Sequence, residues 1–110
     1  MKRVVVDELP LAPLAAAGVF HSHWLPRIES LLASGDDVMV FLSPADHTHR
    51  EWRLAIAAGL ARGHAPRRVN FVAGLGDALE AIGGYLEEAT AITGQYLEGD
   101  GYGAALNAVE

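Results

Sequence analysis

The run Val38-Met39-Val40-Phe41-Leu42 sets five consecutive apolar side chains in a row, and an extended chain points them alternately to opposite faces. Both faces of such a strand must be covered, which calls for a parallel sheet with helices on either side. Val4, Val5 and Val6 form a second continuous β-branched run, expected to be buried on both faces as well. Residues 69–72 and 92–97 read as two more strands. Helical spacing fills the intervals. Residues 14–33 carry Leu14, Gly18, Leu25, Ile28, Leu31 and Leu32 on one stripe, with Pro26 expected to kink or divide the helix. Residues 49–62 carry Trp52, Ile56 and Leu60 beside the small Ala55 and Gly59, and residues 77–88 carry Leu79, Ile82 and Leu86. Gly35 and Gly63 stand where helices end, and Pro66 prevents a restart.

The order strand, helix, strand, helix, strand, helix, strand predicts a three-layer αβα domain around a mostly parallel four-stranded sheet, because right-handed crossovers must cover both faces. A chain of 110 residues, 51% hydrophobic, has room for one such core. It is expected to occupy residues 1–98, with a glycine-rich tail over 99–110. A net charge of −6 argues against nucleic acid and anionic membranes as partners. No apolar run is long enough to span a bilayer. The lack of cysteine excludes disulfides, thiolate metal sites and a cysteine nucleophile, and suits a reducing compartment, so the cytoplasm is the expected location.

Three blocks then resemble the short-chain dehydrogenases/reductases. Ala65-Pro66-Arg67-Arg68-Val69-Asn70-Phe71-Val72-Ala73-Gly74 is similar to that family's strand with alanine-proline, arginine-valine-asparagine, alanine and glycine. Ala81-Ile82, Tyr85-Leu86, Ile92-Thr93-Gly94-Gln95-Tyr96-Leu97 and Asp100-Gly101 resemble its last helix and closing strand. Ala17-Gly18-Val19-Phe20 and Leu25-Pro26, leading to residues 38–42, resemble its central helix and the strand ending in serines. The resemblance implies a Rossmann-like fold and matches its C-terminal half, from about the family's fourth strand onward.

In that family a tyrosine, its pKa lowered by a lysine four residues later, transfers a proton with help from a serine and an asparagine. Counting back from Pro66 places Arg50 at the lysine position, Asp46 at the tyrosine position and Ala15 at the asparagine position, with Ser43 and Pro44 near the serine. The glycine-rich dinucleotide turn has no counterpart in the matched blocks. The resemblance therefore implies a domain with no catalytic residue and no cofactor, and the histidine spacing adds the expectation of no metal. Ser43, Asp46, Arg50, Gly74 and Gly76 are the candidates for any bound cofactor. Gly74-Leu75-Gly76 sits between a strand and a helix, where phosphate-binding turns occur, but Leu79 stands where a third glycine would be.

Other constellations read as ordinary. His21, His23, His47, His49 and His64 lack zinc-site spacing and are expected at the surface or an interface. Ser43, Asp46 and His47 crowd into one loop, which rarely gives triad geometry. Arg50, Arg53, Arg62, Arg67 and Arg68 form a local basic region, expected to be solvated or to orient a partner. Phe20, His21, Trp24, Trp52, Ile56 and Gly59 lie on the helices that pack between copies in this family, so they are expected to form a homodimer interface. A full-length dehydrogenase-like partner pairing with the edge at residues 4–6 is a second expectation. The rival function is a small-ligand or nucleotide-binding module, with residual oxidoreductase-type function, using a cleft at the strand C-termini formed by Ser43, Asp46 and residues 74–77.

Overall fold

The computed structural model describes residues 1–99. The expected glycine-rich tail therefore lies, beyond Gly99, outside the described residues. Four strands, β1 (Lys2–Val5), β2 (Val38–Leu42), β3 (Val69–Ala73) and β4 (Tyr96–Glu98), pair in the order β1-β2-β3-β4, all parallel. Helices α1 (Pro13–Val19), α2 (Leu25–Ala33) and α3 (Arg50–Gly63) cover one face, and α4 (Gly76–Glu88) covers the other. This is the Rossmann-like three-layer αβα arrangement.

The register explains the two cores. Val4, Val40, Phe71 and Tyr96 stand in one row across the sheet and face α2 and α3 together with Phe20, Ile28 and Leu60. The next row places Phe41, Val72 and Leu97 on the opposite face, where they meet Leu79, Ile82 and Leu86 of α4. Every residue of β2 and β3 is buried, as their continuous apolar runs require. β1 differs from expectation. It is an edge strand, and Val5 is 63% exposed because α4 does not reach across to it.

The stretch expected as one kinked helix is divided by a π turn, Phe20–Trp24, one turn before Pro26. Proline has no N–H to give the carbonyl of Ser22 and its ring would crowd that group, so the chain widens and Leu25 N–H reaches back to the Phe20 carbonyl. The extra residue rotates α2 relative to α1. Ile28 and Leu32 are buried, whereas Leu14, placed on the same inward stripe, is 87% exposed.

The fourth strand is shorter than expected and begins at Tyr96 rather than Ile92. Gly94 adopts φ +73, which breaks extended chain, and its Cα passes so close to α3 that a Cβ there would lie 3.1 Å from Ala61 Cβ. Asn70, fully buried in β3, holds this segment in place. Its Nδ2 donates to the Ile92 carbonyl at 3.0 Å and its Oδ1 accepts from Gln95 N–H at 3.1 Å. Replacing Asn70→Leu orphans both backbone groups, and we expect a loss of about 2 kcal/mol in urea unfolding. Faster amide exchange over residues 92–95 should accompany it.

Candidate functional site

The chain leaving β2 at Ser43 turns through Pro44 and Ala45 to Asp46, which caps the 3-10 turn His47–His49 leading into α3. The Asp46 carboxylate accepts from Thr48 N–H at 2.9 Å and from the Thr48 hydroxyl. These two hydrogen bonds hold its pKa below the usual carboxylate value. His49 is buried, contrary to the surface position expected for it. Its Nδ1 accepts from Trp52 Nε1–H at 3.1 Å, so the ring proton sits on Nε2 and donates to the Leu11 carbonyl at 2.8 Å. This ties the loop after β1 to α3.

One turn along α3, Arg53 is 3% exposed. Its Nη1 donates to the Ser43 carbonyl and to the Tyr96 hydroxyl, each at 3.0 Å, and its Nε is buried without an acceptor. The guanidinium lies 5.5 Å from the Trp52 ring centre and 5.7 Å from that of Tyr96. Among the described residues no carboxylate stands within ion-pair distance. Burying a permanent cation without a counter-charge costs several kcal/mol, which neutral acceptors and aromatic faces offset only in part.

Arg53, His49, Ser43 and Asp46 line a cavity of about 340 Å³ closed on its other side by Val6, Leu9 and Leu11. The single cleft expected from Ser43, Asp46 and residues 74–77 is thus divided. Gly74, Gly76 and Leu79 line an adjoining hollow of about 210 Å³, which meets the first at Val6, Asp7 and Ser43. Gly76 has φ +52 and starts α4, so this glycine serves the tight connection. Arg50 belongs to neither hollow. It pairs with Glu98 at 2.7 Å and lies over the Tyr96 ring. Asp46 therefore carries a helix cap and Arg50 an ion pair. Among the described residues no group of three or more His, Asp or Glu side chains could hold a metal.

The interface candidates separate as well. Phe20 is fully buried, its ring tilted against those of Trp52 and Phe71 at 5.4 and 5.5 Å, and belongs to the core rather than to a contact surface. Trp24 is half-buried under the Arg27 guanidinium and faces a different hollow, with Val4, Val5 and Pro26. His21, Trp52, Ile56 and Gly59 come together along a groove of about 450 Å³ between the π turn, α2 and α3. Leu25, Glu29 and His64 share it.

Sheet, helices and strand-end cavity define an α/β domain of the Rossmann-like class. A family model for a short chain dehydrogenase-like protein (SDR-like) matches residues 4–99, and the chain belongs to that family. No match was found among curated proteins or among solved structures.

Arg53 and His49 are the site residues that reading the sequence missed. The available signal was spacing, since residues 53, 57 and 60 share one helical face and both Ala57 and Leu60 are core. For Asp46 the sign is fixed by its lowered pKa. The capping form is the carboxylate, so its contribution is full above the ordinary carboxylate range and is lost as pH falls through the folded value. Asp46→Ala should melt below wild type at neutral pH, and the gap should close as pH is lowered through about 4 and beyond, measured by thermal denaturation.

Proposed function

We propose that this short-chain-dehydrogenase-like domain works without catalysis, by self-association through the groove between α2 and α3. The observation that carries the reading is the convergence of His21, Trp52, Ile56 and Gly59 on one open, mostly apolar groove. Ala55, Gly59 and Gly63 recur at intervals of four on α3, leaving a low ridge against which another helix backbone can approach. A second copy fits the ends of the groove. A twofold axis beside Gly59 would bring the His21–Trp52 end of one groove to the end of the other where Glu29 and His64 pair, setting an aromatic end against a polar one. The engagement of Asp46 in a cap and of Arg50 in an ion pair supports the non-catalytic part of the reading. Among the described residues no helix is long and apolar enough to cross a membrane. The cysteine-free composition is our ground for placing the domain in the cytoplasm.

Gly59 is exposed and a Cβ there meets nothing within 4 Å, so Gly59→Arg adds a charge at mid-groove without disturbing the monomer. Its helix propensity should raise monomer stability by about 0.5–1 kcal/mol. In sedimentation equilibrium the wild type is expected as a dimer and Gly59→Arg as a monomer with an unchanged or higher Tm. A monomeric wild type at every concentration, or a variant that still dimerises, refutes the reading.

A further inference from the structure

The cavity at the ends of β1 and β2 supports an inference that self-association does not use. We infer that it binds a small monocarboxylate with a short apolar body, held by Arg53. Among the described residues Arg53 is the buried side chain that carries a permanent charge. The chain has acids in excess, and Arg3, Arg50 and Arg68 each stand 2.7–3.6 Å from one. Arg53 instead meets a backbone carbonyl, a phenol and two aromatic faces.

The pattern of its hydrogen bonds specifies the ligand. Nη1 is occupied by Ser43 and Tyr96, while Nε is buried without an acceptor and, among the described residues, Nη2 donates to none. What is left is the Nε–Nη2 edge, two parallel donors that match the two oxygens of a carboxylate. Charge narrows the class further. Asp7, Glu8 and Asp46 also line the cavity, so one guanidinium shares it with three acidic residues, a setting that repels a phosphate dianion far more than a single carboxylate. The remaining wall is largely apolar, with Val6, Leu9, Pro10 and Pro44, and a volume of about 340 Å³ suits a molecule of modest size.

The test uses the whole chain, ¹⁵N-labelled, titrated with hexanoate, with its neutral isostere hexanamide and with inorganic phosphate at matched ionic strength. Hexanoate should shift the Arg53 Nε–H cross-peak saturably and raise Tm, and the other two should do neither. Arg53→Met, which keeps the stem and removes the donors, should weaken hexanoate binding about tenfold or more. Arg53→Lys keeps the charge but lacks the paired edge, and should weaken it as well, so the proposal stays testable should the methionine variant not fold. No saturable shift with hexanoate, an equal response to hexanamide or to phosphate, or full affinity in Arg53→Lys overturns the inference.

Discussion

The structure depends on covering β2 from both sides. Its neighbours β1 and β3 satisfy its backbone, so stability rests on what lies over Val38, Val40 and Leu42 on one face and over Met39 and Phe41 on the other. Each such side chain contributes about 1.5–3 kcal/mol when fully buried. The two faces are covered unequally. Three helical segments build the larger core, and α4 alone builds the smaller. Where α4 ends its reach, Arg3 extends over the Phe41 ring at 5.0 Å and pairs with Glu80 and Glu87 of the helix. An arginine stem lying over the ring substitutes there for helix packing.

This inequality explains which parts of the fold were legible in the sequence. β2 and β3 were, because runs such as residues 38–42 and 69–72 leave a buried parallel strand as the economical solution. β1 has the same β-branched composition, yet its burial depends on neighbours in space, and one of its faces lacks a helix. The π turn was hidden for a different reason. Pro26 announces a disturbance, but whether the chain bends, breaks or takes in an extra residue depends on how Phe20 and Ile28 must dock on the sheet. A one-residue insertion rotates everything after it by about 100°. Leu14 consequently points to solvent, and Phe20, read as a contact residue, sits against Phe71. At β4, Ile92 and Thr93 have strand-like side chains, but the left-handed Gly94 decides the matter.

The site was legible in its location and less so in its residues. Ser43 and Asp46 do line the strand-end cavity, where open α/β sheets place ligands. Arg53 was grouped with Arg50 as surface charge because an arginine is rarely buried. Its depth follows from position along the helix. Arg50 is the first residue of α3 and stays on the rim beside Glu98, whereas Arg53, one turn further on the same face, lies where Ala57 and Leu60 press into the core. Charge alone could not distinguish them, whereas position on the helix does.

Helix α3 joins the two surfaces. Residues 52, 56, 59 and 63 line the groove, residues 53, 57 and 60 meet the sheet, and His49 and Arg53 reach the cavity. One hydrogen bond spans the distance between them, since Trp52 lines the groove while its Nε1–H is held by His49, which lines the cavity. Trp52 also packs on Phe20, so the same ring closes the core from outside. Occupancy of the cavity can alter association by changing the geometry of this His49–Trp52 pair, the seat of the Arg53 guanidinium 5.5 Å from the Trp52 ring centre, or the tilt of α3. Thermodynamic reciprocity then applies: whatever displacement of Trp52 a ligand beside Arg53 favoured, a second copy seated on Trp52 would favour the same ligand in equal measure.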